Sequence, residues 1–291
     1  MERNNTGDVH GLPKNSQGTL YLVGTPIGNL EDITLRALRV LREVDLIACE
    51  DTRQTQKLLN HYKIETRTTS YHEHNELTRA PELVLRLEEG ARIALVSDAG
   101  MPGISDPGYR LVGLCIRHNV AVVPVPGPSA LLAGLVAGGL PTHSFRFFGF
   151  LPPKKNPRRK LLEDLRDSTA TAIFFESPRR ILASLKDLLE VAGDRPVVVA
   201  REVTKVHEEF LRGRCSEVLT TLQRRSTIPG EITLLIAGAG QEHSTAVHSQ
   251  PLKDRVQQLM QEGKMDRMEA LKAVARERHM SKRQAYKEFE S

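Results

Sequence analysis

The segment whose residue types are best suited to binding a ligand is a loop at residues 97–108 that is rich in glycine, proline and aspartate. It follows the apolar run 93–96 and precedes a helical pattern, which places it at the carboxyl end of a strand, where open α/β sheets bind ligands. Asp98 and Asp106 would repel phosphates, so a cationic or zwitterionic ligand fits better, for example a sulfonium compound with an amino-acid group. A tight strand-to-helix connection is the structural alternative, but the loop is roughly twice as long as one needs.

A second loop, at residues 124–130, contains three prolines and one glycine and follows another apolar run. Ser129 and Ala130 begin a helix of small residues, whose first N–H groups could meet a carboxylate or the acceptor atoms of an adenine. A purely structural turn is the alternative. The spacings G-x-G-x-x-G at the first turn and G-x-x-x-x-G-K-[ST] are absent, which argues against dinucleotide-binding and P-loop proteins.

Glu50 and Asp51 follow the apolar run 46–49 and are the leading candidates for a general base. Adjacent carboxylates on an extended backbone point to opposite faces, so one could face a substrate while the other holds Arg53. Such a base helps a hydroxyl group to act as a nucleophile. The structural alternative is that both residues cap the following helix.

Two further polar segments have candidate roles. His72 and His74 could bind a metal, but no third ligand is evident. A solvated loop is the favoured interpretation, and a polar loop that contacts RNA is the alternative. A basic cluster suits contacts with RNA phosphates, although a run of charge is equally typical of a solvated surface. The cluster consists of Lys154, Lys155, Arg158, Arg159 and Lys160. The net charge of +5 is compatible with a polyanionic partner.

The elements that must position these residues follow from the hydrophobic pattern. Apolar runs alternate with amphipathic stretches, which predicts an α/β fold with a mainly parallel first sheet. The predicted strands are 20–23, 46–49, 93–96, 121–125, 172–175, 197–200 and 232–236, and the predicted helices include 33–44, 76–89 and 130–139. A stiff linker is predicted at 150–153.

The chain is predicted to contain two α/β domains, residues 19–150 and 151–240. A disordered lead at 1–18 precedes them, and a linker at 241–250 joins them to a helical module at 251–291. Two segments of that module, Asp266-x-x-Glu269 and Ser281-x-x-Gln284, resemble capping boxes that open helices. The module is either helix-turn-helix-like or an appendage for oligomerisation or packing.

The three cysteines are widely spaced, which argues against a disulfide framework and for a reducing compartment. No apolar run reaches the roughly 18–20 residues that span a bilayer, and no signal-peptide core is present. A cytoplasmic location is therefore expected.

Four segments, which follow one another along the chain, resemble motifs of the tetrapyrrole methylase superfamily. Within that superfamily they resemble the small-subunit ribosomal RNA methyltransferase I branch. They are Gly24-Thr25-Pro26-Ile27-Gly28-Asn29-Leu30, Glu50-Asp51-Thr52-Arg53, residues 97–108 and Pro126-Gly127-Pro128-Ser129-Ala130. The resemblance runs from about residue 19 to residue 240, and the helical tail is a further feature of the branch.

The resemblance implies a bilobal enzyme, usually a homodimer, with S-adenosylmethionine in a cleft between two α/β domains. It implies 2′-O-methylation of a cytidine at the decoding centre of 16S ribosomal RNA, with the assembled small subunit as substrate. By motif position, the residues implied to touch the cofactor are Pro26, Gly100, Met101, Ile104, Ser129 and Ala130, and Phe175 would close the adenosine side. Methyl transfer from a sulfonium requires no metal, and none is expected.

Two other functions remain open at this stage. A tetrapyrrole C-methyltransferase would keep the fold and change the nucleophile to carbon, but its small substrate would leave the basic segments and the helical tail without a role. A non-catalytic adaptor that binds nucleic acid would use the tail, but it would not need both loops.

Overall fold

The computed structural model describes residues 18–240, 252–263, 265–277, 280, 281, 284–286 and 289. The predicted linker at 241–250 and the predicted lead, apart from Gly18, lie outside these residues. Among the described residues, no helix is both long enough and apolar enough to cross a bilayer.

The N-terminal part of the chain forms a sheet of five parallel strands in the order β3-β2-β4-β1-β5. The strands are β1 (Thr19–Val23), β2 (Leu46–Cys49), β3 (Thr68–Ser70), β4 (Arg92–Val96) and β5 (Ala121–Val125). The helices between them are α1 (Leu35–Glu43), α2 (Thr52–His61), α3 (Glu76–Glu88) and α4 (Tyr109–Arg117). One apolar cluster joins α1 and α2 to the sheet and another joins α3 and α4, so both faces are covered.

Helix α5 (Ala130–Gly138) connects the first sheet to the second and packs on the second. Leu131 and Leu135 contact the apolar side chains of the second sheet. Gly134 permits this close approach, because a Cβ there would lie 3.2 Å from the Thr233 Cγ2 atom.

The second sheet is mixed, with the strand order β6-β7-β10-β8-β9. Only β6 and β7 are parallel to each other, and the remaining pairs are antiparallel. Its strands are β6 (Phe145–Phe150), β7 (Thr171–Glu176), β8 (Pro196–Arg201), β9 (Glu209–Arg214) and β10 (Ile232–Ile236). On the face opposite α5 lie α6 (Lys155–Asp164), α7 (Ile181–Ala192) and α8 (Cys215–Gln223).

Two helices of the C-terminal segment are described, α9 (Leu252–Gly263) and α10 (Arg267–Glu277). The Asp266 carboxylate accepts from the Glu269 N–H at 2.8 Å, and the Ser281 hydroxyl accepts from the Gln284 N–H at 3.3 Å. Both predicted capping interactions are therefore present. Val256, Leu271 and Val274 are buried together in a small core of this segment.

The predicted α/β class, with additional C-terminal helices, is confirmed. All seven predicted strands are present, but β3, β6 and β9 were not predicted. The segment 150–153 was interpreted as a linker, whereas Phe150 is the last residue of β6, which pairs with β7 in the second sheet. The three cysteines are buried free thiols.

Candidate functional site

Three loops meet at the carboxyl edge of the first sheet, one after β1, one after β4 and one after β5. Thr25 and Gly100 exchange two backbone hydrogen bonds, of 2.9 and 3.0 Å, which join the first loop to the second. The Thr25 hydroxyl also donates to the Ser97 carbonyl at 3.1 Å. Gly100 has a φ of +84°, a conformation that favours glycine, so this turn depends on its residue type.

The loop after β5 leads directly into α5. The Ser129 side chain accepts from the Leu132 N–H at 3.5 Å and caps the helix. The N–H groups of Ala130 and Leu131 have no acceptor within the helix, and Ser129 and Ala130 line the cleft described next.

A cleft with a cavity volume of about 260 Å³ lies between these loops and the second sheet. Its walls are largely apolar and come from both halves of the chain. They include Ile27, Gly100, Met101, Ile104, Ser129 and Ala130 on the first side, and Phe150, Phe175, Ala200, Val203, Ile232 and Thr233 on the second. Phe175 is held edge-on between Phe147 and Phe150, with ring centroids 4.9 and 5.6 Å away.

The charged residues of the cleft wall are acidic. Asp98, Asp106, Glu176 and Glu231 line it, and among the residues that the structure describes no lysine or arginine does. Glu176 is buried, where its carboxylate accepts from the Ser184 hydroxyl at 2.6 Å and pairs with Arg180 at 2.7 Å. An apolar cleft with carboxylates and free helix N–H groups suits a ligand that combines an aromatic ring, a cationic centre and a carboxylate.

Two further cavities adjoin the cleft. One, of about 570 Å³, shares Ser105 and Asp106 with it and is otherwise lined by residues that include Glu50, Glu73, Glu76, Tyr109 and Arg110. The other, of about 400 Å³, shares Ile27, Asp98, Ala99 and Glu231 with the cleft and contains Pro26. Six of the seven predicted cofactor contacts therefore line the cleft itself, and Pro26 lines its neighbour.

A family model described as "Tetrapyrrole (Corrin/Porphyrin) Methylases" matches residues 19–219. The chain is 54% identical over 229 residues to a protein of Halalkalibacterium halodurans named ribosomal RNA small subunit methyltransferase I, and the alignment covers 79% of each chain. A relative of the same name from Synechocystis sp. is 47% identical over 270 residues, which cover 92% of this chain and 96% of the relative.

The chain belongs to the tetrapyrrole methylase family, in the ribosomal RNA small subunit methyltransferase I branch. Solved structures of more distant proteins share the methylase fold. Uroporphyrin III C-methyl transferase from Thermus thermophilus has a TM-score of 0.53 at 22% identity, with 75% of this chain and 97% of that chain covered. Diphthine synthase has a TM-score of 0.59 at 16% identity, with 75% and 90% covered.

The tetrapyrrole methylase family uses S-adenosylmethionine, and the cleft fits this cofactor. Apolar side chains such as Ile27, Ile104 and Phe175 suit the adenosine, and the first N–H groups of α5 suit a carboxylate or adenine acceptors. The carboxylates in the wall suit the sulfonium and ammonium charges. When bound, the cofactor supplies an electrophilic methyl group.

Glu50 and Asp51, the predicted bases of this methylase, have different surroundings. Asp51 is the N-cap of α2: its carboxylate accepts from the Arg53 backbone N–H at 2.8 Å and pairs with the Arg53 guanidinium at 2.8 Å. These hydrogen bonds lower the pKa of Asp51 to about 2. Glu50 lines the 570 Å³ cavity, and burial, followed by the charge of Asp98, raises its pKa.

Asp106 is a site residue to which the sequence assigned no catalytic role. It is half-buried and lines both the cleft and the 570 Å³ cavity. Burial, followed by the nearby charge of Glu50, raises its pKa to about 6, against the smaller opposing effect of a hydrogen bond with Ser97. Its place at the end of a glycine loop was visible in the sequence, but its nearness to Glu50 was not.

The basic cluster at the start of α6 is divided in the structure. Lys154, Lys155 and Lys160 are exposed. Arg158 is buried, and its guanidinium donates to the Asp187 carboxylate at 2.6 and 2.8 Å, so we assign it to packing between α6 and α7. Arg159 pairs with Glu190 and, at 3.5 Å, with Asp187.

His72 and His74 lie in the loop before α3, and their rings are in contact edge-on. Over the described ranges, no group of three or more His, Cys, Asp or Glu side chains is arranged to hold a metal ion.

Proposed function

We propose that this protein transfers a methyl group from S-adenosylmethionine to the 2′-hydroxyl of a cytidine in small-subunit ribosomal RNA, at the decoding centre. The observation that carries the proposal is the cleft: the loops that make its wall are the segments by which the sequence resembles the branch, and relatives named for ribosomal RNA methylation cover most of the chain. We further propose that the protein acts in the cytoplasm as a homodimer.

The residues that would hold the cofactor are those of the cleft wall. Met101 and Ile104 would contact one side of the adenosine, and Phe175 would close the other. Gly100 and Ala130 would present backbone groups to polar atoms of the ligand, and Pro26 would shape the adjoining loop. Holding the methyl group in line with an acceptor atom is the main contribution of such a site, because positioning can supply several kcal/mol of the barrier.

A ribose hydroxyl is a weak nucleophile while it carries its proton, so the acceptor side needs a base. Carboxylates that line the 570 Å³ cavity beside the cleft provide that chemistry, with Glu50 among them. Asp51 is better suited to fixing the start of α2 than to accepting a proton, because Arg53 stabilises its charged form.

The RNA surface that we propose lies at the start of α6. Lys154, Lys155 and Lys160 would contact phosphates as exposed point charges. Arg159 stands beside them at the surface, although its guanidinium is already paired with acidic side chains.

A second candidate function is C-methylation of a tetrapyrrole. The family description and the fold shared with uroporphyrin III C-methyl transferase favour it. At 22% identity, however, that likeness concerns the fold alone, whereas the relatives at 47–54% identity carry the ribosomal RNA name. A non-catalytic adaptor is disfavoured because it would not need the cleft that the three loops and the second sheet form.

The deciding experiment offers the protein radiolabelled S-adenosylmethionine with three acceptors: assembled small ribosomal subunits, naked small-subunit RNA and a porphyrinogen. We expect label in the RNA of the assembled subunit. Label in the porphyrinogen alone would replace the proposed substrate and leave the fold and cofactor in place. Absence of label with every acceptor, in a folded protein that does not bind the cofactor, would favour the adaptor.

A further inference from the structure

The cleft and the 570 Å³ cavity have two lining residues in common. Ser105 and Asp106 line both spaces, so a methyl group that leaves the cleft toward that cavity passes beside them. The second cavity lies within the roughly 300–1,000 Å³ range of small-molecule sites, which is ample for a nucleoside. Its lining is polar and charged, unlike the largely apolar cleft.

Four carboxylates from the ends of β2 and β4 and their loops differ in which of the two spaces they line. Asp51 lines neither space and is held by Arg53. Asp98 lines the cleft but not the second cavity, and its carboxylate accepts from the Asp51 backbone N–H at 3.1 Å. Glu50 lines the second cavity but not the cleft. Asp106 alone of these four lines both.

We propose that Asp106 is the catalytic base of the methyl transfer, with the acceptor nucleoside seated in the 570 Å³ cavity. This assignment rests on the proposed function. The hydroxyl proton passes to the Asp106 carboxylate, the oxygen electron pair forms the new O–C bond, and the electron pair of the broken S–C bond stays on sulfur. Glu50 is then a positioning residue, whose charge beside Asp106 makes that carboxylate a stronger proton acceptor.

The electrostatic surroundings of Asp106 support the role. Glu50 and Asp98 add negative potential from the ends of β2 and β4, and both raise its pKa. Other charged or titratable groups also face its two spaces: Glu73, Glu76, Tyr109, Arg110 and Arg117 on the cavity side, and Glu176 and Glu231 on the cleft side. Arg110 is paired with Glu76 at 3.3 Å. With a pKa of about 6, Asp106 is largely ionised at neutral pH and is a better proton acceptor than an ordinary carboxylate.

The test compares Asp106→Asn with Glu50→Gln, two nearly isosteric acid-to-amide changes on the same cavity. At saturating S-adenosylmethionine, Asp106→Asn should lower kcat by about 100-fold or more, the usual contribution of a positioned base. The dissociation constant of the cofactor, measured by calorimetry, should change by less than about threefold, because an amide fills the same space. Glu50→Gln should lower kcat by less than about tenfold.

The pH profile separates a base from a structural residue. Wild-type kcat should fall as the pH drops through about 6, where Asp106 gains its proton. The kcat of Asp106→Asn should show no such fall at acid pH, that is, no acid limb in its pH profile. Glu50→Gln should shift it to lower pH, because removal of the neighbouring charge lowers the pKa of Asp106.

Thermal stability gives a readout that does not depend on activity. Folding raises the pKa of Asp106 above its unfolded value, so the wild type loses stability as the pH rises through about 6, and it recovers that stability below about 4. Asp106→Asn should therefore have a higher melting temperature than the wild type at pH 7.5, and the difference should vanish near pH 4.

Three results would overturn the assignment. They are a kcat for Asp106→Asn within about threefold of the wild type, an acid limb that persists in that variant, and a loss of cofactor affinity that accounts for the whole loss of activity. A wild type that methylates no RNA would refute the proposed function itself, whereas an active wild type with an equally active Asp106→Asn would refute only the role of Asp106.

Discussion

Gly24 and Gly127 pack backbone against backbone: a Cβ built on either residue would lie 2.7 Å from the Cα of the other. This contact joins the loop after β1 to the loop after β5, and both loops continue into residues that line the cleft. A Cβ on Gly24 would also lie 2.8 Å from the Met101 Sδ atom, so a side chain of the loop after β4 packs against the same point. The three loops are thus held in one arrangement by a position that has no room for a side chain.

Gly24→Ala should therefore separate these loops. We expect a loss of about 1–3 kcal/mol in the free energy of unfolding, the usual cost of overpacking, and at least about a tenfold loss of S-adenosylmethionine affinity. Chemical denaturation and calorimetry measure the two effects. Gly113→Ala on α4 is the control: a Cβ there meets nothing within 4 Å, so stability should rise by about 0.5–1 kcal/mol. Normal cofactor affinity in Gly24→Ala would contradict this account of the cleft.

Phe175→Ala should weaken cofactor binding without unfolding the protein. Phe175 lines the cleft, and loss of its ring removes about 1.5–2 kcal/mol of apolar contact, which corresponds to about a 10–30-fold higher dissociation constant. Phe148→Ala is the matched control, because Phe148 stacks on Phe174 at 5.0 Å, and both pack against the core on the sheet face opposite α5. It should lower stability and leave the dissociation constant unchanged. Equal dissociation constants for the two variants would exclude the proposed place of the adenosine.

The buried pair of Arg158 and Asp187 should make a large contribution to stability. Asp187→Ala leaves a buried guanidinium without its carboxylate partner and should cost about 3–5 kcal/mol in the free energy of unfolding. Glu190→Ala removes a largely exposed partner of Arg159 and should cost less than about 1 kcal/mol. Denaturant titration of both variants measures the difference. Similar small losses in both would mean that Arg158 is free for another role, such as RNA binding.

The exposed lysines of α6 and its N-cap should affect RNA binding alone. Replacing Lys154, Lys155 and Lys160 by alanine should reduce the slope of log K against log salt concentration by about 2, since each phosphate contact on single-stranded RNA contributes about 0.7. The melting temperature should stay within about one degree of the wild type. Arg158→Met should show the opposite behaviour, a lower melting temperature and an unchanged salt slope. An unaltered slope in the triple variant would place the RNA surface elsewhere.

The elements that the sequence predicts correctly are those with strong apolar patterns. β2 and β4 are buried along nearly their whole length, and α1 and α3 lie within two residues of their predicted bounds. β3 was not predicted, because Thr68–Ser70 consists of three polar, half-buried residues at the edge of the sheet and has no apolar pattern. β9 carries charged residues along an edge strand, and β6 has an irregular register near Gly149, so neither has a clean alternation.

In the candidate site, too, the sequence predicts only the features that depend on local composition. The glycine loops are recognisable from their composition, and six of the seven residues that the resemblance implies for the cofactor line one cleft. Arg158 could not be separated from its basic neighbours, because Asp187 follows 29 residues later on another helix. Asp106 could not be singled out either, because its environment depends on Glu50 and on a boundary between two cavities that exists only in the folded chain.

The most direct test of the central claim is nucleoside analysis of small-subunit RNA labelled by this protein with S-adenosylmethionine. The RNA is digested to nucleosides, and the labelled product is identified by chromatography and mass spectrometry, with position mapping by primer extension. We predict a single labelled product, 2′-O-methylcytidine, that maps to the decoding centre. Label on a base, on another nucleoside or on no RNA while a porphyrinogen is methylated would contradict the proposed function.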